Sequence, residues 1–268
     1  MTTDTVPAQR VAAPRVWLDG VNPVTKVALA LLLSVPLFAS IDVTSGLVAI
    51  GLELLCLPLT GLALCTVLRR LALLALFAPI AGISMLLYAE PAGRIYATFG
   101  FATISEDSVS LAIAVGVRVL ALGLPTILLF GRTDPTELGD ALAQVARLPS
   151  RFVLGVVAGT RMLGLFLDDW RTMALARRAR GVGDRGAIRR FFSMAFVLLV
   201  FAVRRGTKLA MAMEARGFGS DIPRTWARPS RLSSRDAVAL AGGLAIMALA
   251  LAAAVALGTF RFVWGSSS

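Results

Sequence analysis

Histidine is absent from the 268 residues, and cysteine occurs only at Cys56 and Cys65, nine positions apart in one apolar stretch. Without an imidazole, His-based metal sites and Ser-His-Asp or Cys-His chemistry are excluded. Two cysteines so placed make no disulfide framework, and buried apolar thiols are the default reading. Charge is scarce as well: 16% of residues are Asp, Glu, Lys or Arg, with 16 acids against 27 bases. No Gly-x-x-x-x-Gly-Lys-Ser/Thr loop occurs, and Arg205-Gly206-Thr207-Lys208 lacks its order and first glycine, so ATP phosphates cannot be cradled by that route. Asp168 and Asp169 are adjacent carboxylates, but neighbours on a helix point about 100° apart and no second acidic cluster joins them. A solvated or lipid-facing position is expected for them. No residue set supports catalysis, a metal or a cofactor, and nothing points to nucleic acid.

What the chain does have is apolar bulk: 57% of residues are hydrophobic while the net charge is +11. A soluble domain does not carry that balance, so charge must be segregated from apolar spans. A hydrocarbon core takes about 20 residues of helix. Five segments approach that length: Val24 to Ile41, Val43 to Leu68, Leu71 to Ala89, Val109 to Phe130, and Ala237 to Phe260. The first holds only 15 uncharged residues between Lys26 and Asp42, and spans if Lys26 snorkels to the interface. Pro36, Pro58, Pro79 and Pro125 fall inside spans, where kinks are expected. Residues 1–23, with Asp4, Pro7, Arg10, Pro14 and Arg15, read as a short cytoplasmic tail and not a signal peptide.

Basic residues set the orientation. With the N-terminus cytoplasmic, Arg10, Arg15, Lys26, Arg69 and Arg70 fall inside. So does the stretch from 131 to 235, with 19 Lys plus Arg against eight Asp plus Glu. That stretch reads as amphipathic and unable to span, interrupted by Arg151, Arg161, Asp168, Asp169 and Arg171. Asp134, Pro135 and Glu137 spell a helix start, with a stop near Pro149. Two longer helices follow, from about Ser150 to Arg180 and from about Arg185 to Arg216. Each would be on the order of 45 Å long and must lie oblique to the membrane, its apolar face against lipid or the spans.

Both long helices close on the same pentapeptide. Ala179-Arg180-Gly181-Val182-Gly183 and Ala215-Arg216-Gly217-Phe218-Gly219 lie 36 residues apart. One copy alone is an ordinary helix end, with Arg complementing the macrodipole and Gly supplying a left-handed cap. Two copies, preceded in register by Ala176 and Ala212, suggest a protein that grips two copies of a partner. An Arg on a rigid helix end offers a planar fork to a carboxylate, and its small neighbours let a partner's backbone approach.

The chain resembles the transmembrane T component of energy-coupling factor (ECF) transporters, ABC-type importers of vitamins and transition-metal ions. The likeness rests on Asn22-Pro23-Val24-Thr25-Lys26, Arg118-Val119-Leu120, Thr133-Asp134-Pro135-Thr136-Glu137-Leu138, Leu148-Pro149 and above all the two Ala-Arg-Gly motifs. The resemblance implies that Ala179, Arg180 and Gly181, and Ala215, Arg216 and Gly217, end coupling helices that dock on two cytosolic ABC ATPase subunits. It also implies a membrane-embedded, substrate-binding S component as a further partner.

The expected architecture is an all-α polytopic protein of the plasma membrane. Residues 24–130 form four transmembrane helices, 131–235 a three-helix cytoplasmic coupling domain, and 236–268 a last span and tail. Glu53 and Arg118 lie within spans, each about ten positions from its span's outer end, so a mid-membrane ion pair is expected. Two other readings stay open: a membrane-embedded lipid-modifying enzyme, which needs convergent carboxylates or a metal site, and a self-contained permease, which needs polar residues along several spans.

Overall fold

The computed structural model of the chain describes residues 16–40, 42–88, 94–99, 102–181, 186–219, 225–226 and 228–259. In chain order the elements are a 3-10 turn at Trp17–Gly20, α1 (Pro23–Ala39), α2 (Val43–Leu55), α3 (Leu57–Thr60), α4 (Leu64–Tyr88), β1 (Ile95–Phe99), β2 (Ala102–Ser105), α5 (Glu106–Phe130), α6 (Pro135–Gln144), α7 (Ser150–Ala179), α8 (Ala187–Ala215) and α9 (Ser234–Ala256). The chain is thus an all-α, multi-pass membrane protein with one short antiparallel ribbon. It divides into two compact units, Met1–Thr133 with Leu232–Ser268, and Asp134–Arg231.

In the first unit α4 packs along α5, α2 touches α5 and α9, and α1 touches α9 and α5. Leu29, Leu33 and Leu37 recur every fourth residue on α1, which places them on one face, and they are buried against Ala121, Ala239, Met247 and Ala250. The helix starts are tied together. The Asn22 side chain accepts from the Val24 N–H at 3.0 Å, while the Asn22 N–H donates to Asp236 Oδ1 at 2.7 Å. Asp236 in turn sits in the capping box of α9. Two helices therefore share one buried carboxylate at their N-termini, where the macrodipoles favour negative charge. The outward faces of α1 and α4, including Leu31, Val35, Leu73, Leu76 and Ile80, are exposed apolar surface of the kind lipid covers.

Several expectations are corrected. The run from Val43 to Leu68 is not one span: α2 stops after 13 residues, and α3 ends at Gly61, whose φ of +62° turns the chain. Gly tolerates that left-handed conformation where other residues do not. Pro58 occupies the first turn of α3 instead of a helix interior, whereas Pro36, Pro79 and Pro125 do lie inside helices. At about 20 Å, α2 alone is shorter than a hydrocarbon core. Arg69 and Arg70 lie within α4, not in a loop before it. Lys26 does not snorkel; it is 5% exposed and its Nζ donates to Thr133 Oγ1 at 3.3 Å. That hydroxyl, itself bonded to the Leu129 carbonyl near the end of α5, gives the ammonium an acceptor where the helix dipole is negative.

Among the described residues, four helices are long and apolar enough to cross a membrane: Leu64–Tyr88, Glu106–Phe130, Ser150–Ala179 and Ser234–Ala256. The third of these, α7, meets the criterion against the expectation that nothing between 131 and 235 could, because between Arg151 and Asp168 its apolar run is broken only by Arg161. Ile41, Ala89 and Phe260, which close three expected spans, lie outside the described residues, as do Val182, Gly183 and the tails 1–15 and 261–268.

Candidate functional site

In the second unit, α6 starts where Asp134 accepts from the Thr136 N–H at 2.7 Å, with Pro135 in its first turn. α6 lies close along α7 because Gly139 has no side chain to push against Val157. α7 and α8 are tied by three side-chain contacts. Arg205 of α8 reaches Asp169 of α7, Nη1 to Oδ2 at 2.6 Å and Nη2 to Oδ1 at 3.2 Å. Trp170 packs edge-on against Phe191, ring centroids 5.5 Å apart, and Arg177 Nη2 donates to Ser193 Oγ at 2.8 Å. Asp169 is therefore not a solvated carboxylate: it accepts one hydrogen bond from Arg205 Nη2 on the neighbouring helix, with Nη1 held beside its second oxygen as an ion pair. Asp168 is the exposed member of the pair, 3.5 Å from Arg171 on its own helix.

Ala179-Arg180-Gly181 and Ala215-Arg216-Gly217 fold alike at the ends of α7 and α8. Arg180 is the C-cap of α7 with φ −86° and ψ 6°, and Arg216 is the C-cap of α8 with φ −91° and ψ 13°. The following glycines turn left-handed, Gly181 at φ +70° and Gly217 at φ +78°. Gly181 N–H donates to the Arg178 carbonyl at 3.0 Å, and Gly217 N–H to the Glu214 carbonyl at 2.9 Å. At the second copy Phe218 N–H also donates to the Met213 carbonyl at 2.9 Å, which completes a Schellman motif. This geometry ends the helix abruptly and leaves the Arg as its last side chain. Ala179, Arg180, Gly181, Ala215, Arg216 and Gly217 are all exposed, and among the described residues neither Arg180 nor Arg216 forms an ion pair.

The second copy is braced in a way that the sequence did not suggest. Arg151 at the start of α7 donates from Nη2 to the Gly219 carbonyl at 3.0 Å, pinning the turn after Arg216. Arg216 also lines a groove of about 590 Å³ with Asp140, Arg161, Met213 and Phe218. Asp140, Arg151 and Arg161 belong to no motif, because their meeting with the second helix end depends on how three helices pack.

Glu53 and Arg118 are not brought together. A Cβ at Gly46 of α2 would lie 2.8 Å from Val117 Cγ1, so Arg118 is level with the first turns of α2. Glu53 follows Gly46 by seven residues, about 10 Å along the axis, level with Pro125 and Leu128. Equal distance from the helix starts did not mean equal depth, because α5 begins on the ribbon and runs past the start of α2. Among the described residues neither Glu53 oxygen has a hydrogen-bond partner.

Residues 14–225 match a family described as CbiQ, cobalt transport protein. The chain is similar to proteins described as the energy-coupling factor transporter transmembrane protein EcfT. That of Limosilactobacillus fermentum is 27% identical over 56% of this chain and 60% of its own length. That of Exiguobacterium sibiricum is 31% identical over 59% and 63%, and that of Brevibacillus brevis 26% identical over 83% and 88%. The chain thus spans about three fifths of the length of the first two relatives and most of the third.

Proposed function

The chain belongs to the CbiQ cobalt transport protein family, and from that premise we propose that it is the energy-coupling transmembrane subunit of an ECF-type importer of a vitamin or metal ion. In this reading it catalyses nothing; two cytosolic ABC ATPases hydrolyse ATP, and a membrane-embedded S component binds the substrate. The observation that carries the proposal is the pair of Arg-Gly helix ends, alike in backbone geometry, in one compact unit. Each presents an exposed guanidinium with no acidic partner among the described residues. One end serves each ATPase, and a two-fold partner calls for two such contacts. Residues 131–235 act as the coupling domain on the cytoplasmic side of the plasma membrane, with the N-terminus on that side too. The exposed apolar faces of α7 and α8, with Phe152, Val156, Leu163, Phe192, Phe196 and Leu199, are where lipid and the S component would lie.

Replacing Arg180 and Arg216 together by Glu tests this in cells producing the whole transporter. The double variant is expected to lose co-purifying ATPase, and each single variant to weaken it, because a broken interfacial charge pair costs about 2–5 kcal/mol. Stoichiometric ATPase and intact uptake in the double variant would remove the proposal.

A further inference from the structure

In the first unit a cavity of about 340 Å³ is bounded by the 3-10 turn, α1, the end of α2, α3, α5 and the first turns of α9. Trp17, Leu29, Leu33, Leu128 and Ile246 give it apolar walls, and one carboxyl, Glu53, stands among them. Glu53 is 2% exposed, and among the described residues both its oxygens are without a hydrogen-bond partner. A carboxyl kept in apolar surroundings is costly unless something donates to it. The cavity is of the size that takes small ligands, which commonly are held by apolar walls and a few polar groups.

We propose that this cavity binds an amphiphilic primary amine, its ammonium on the Glu53 carboxylate and its hydrocarbon body along the apolar walls. Charge complementarity selects this occupant. A carboxylate-headed chain would set like charge against Glu53, and a neutral alcohol would offer one donor and no charge. A bare metal ion does not fit, since hard cations require six or more oxygens. Here the other polar lining side chains are Cys56 and Thr60, and the Thr60 hydroxyl already donates to the Leu57 carbonyl. An ammonium brings three donors for the two oxygens. The site uses none of the residues of the Arg-Gly helix ends and does not depend on the coupling role.

Tryptophan emission of the full-length protein in phosphatidylcholine nanodiscs, titrated with octylamine, octanol or octanoate, reads the site because Trp17 lines it. Octylamine is expected to give a saturable change that Trp17→Phe removes, and to bind at least about tenfold tighter than octanol or octanoate. Glu53→Gln should erase that preference. Gly242 also lines the cavity, and a Cβ there meets nothing within 4 Å, so Gly242→Leu should extend into the space and abolish octylamine binding. Equal affinity for octylamine and octanol would overturn the proposal, as would octylamine binding unchanged in Glu53→Gln or in Gly242→Leu. If Glu53→Gln does not fold, the amine-to-alcohol ratio and the Gly242→Leu variant still decide.

Discussion

Gly181 and Gly217 matter for their backbone, because at φ of +70° and +78° a Cβ is strained whatever the space around it. At Gly181 a Cβ would meet nothing within 4 Å, so packing is not the obstacle there. A non-glycine residue in this region costs about 1–2 kcal/mol, somewhat less for Asn, and more for a β-branched residue. The expected consequence at each site is a graded loss, Gly above Asn above Ala above Val, in the fraction of ATPase retained on purification. Equal retention in Gly217→Asn and Gly217→Val would show that the left-handed turn does not position Arg216. The double glycine substitution to Val should lose about as much as the Arg180→Glu and Arg216→Glu pair, since both remove the same contacts by different means.

Between elements, the Asp169–Arg205 pair fixes where α7 and α8 cross. Its side chains are 23% and 39% exposed, so its coupling should be about 1 kcal/mol and not the several expected of a fully buried pair. Asp169→Asn and Arg205→Gln should each lower the thermal midpoint. The double variant should lose less than the sum, and additive losses would show that the two do not meet in the folded protein. The adjacency of Asp168 and Asp169 was plain in the sequence, but a partner 36 residues away on another helix was not, since no local spacing encodes a crossing point. The same limit explains Glu53 and Arg118, where register between α2 and α5 decided the neighbour. The break at Gly61 was readable from Leu57-Pro58 and the glycine, yet hydropathy alone ran through it because no flanking residue is charged. The ribbon was also readable, in Ile95-Tyr96-Ala97-Thr98-Phe99 and Ala102-Thr103-Ile104, a short β-branched and aromatic run inside an expected loop. What the sequence did carry fully was the pair of helix ends, because caps are local chemistry.

For the whole molecule, the distribution of charge is the strongest constraint on orientation. Of 27 basic residues, 19 lie between 131 and 235, and inward placement of that stretch follows the bias that keeps Lys and Arg in the cytoplasm. Yet α7 satisfies the length and hydropathy of a span, so its crossing is a real alternative. The two arrangements differ at its C-terminal end: a crossing α7 carries Arg178 to the outer face, whereas an α7 on the cytoplasmic side keeps it in. Replacing Cys56 and Cys65, the latter exposed, by Ala gives a silent background for cysteine labelling. On that background Arg178→Cys and Arg228→Cys should react with an impermeant maleimide only after permeabilisation, and Arg94→Cys, exposed just before β1, should react in intact cells. Labelling of residue 178 from outside would make α7 a span and would carry the Arg180 helix end to the outer face. Two cytosolic ATPases could not then both be reached, so this one measurement bears on the orientation and the coupling role together.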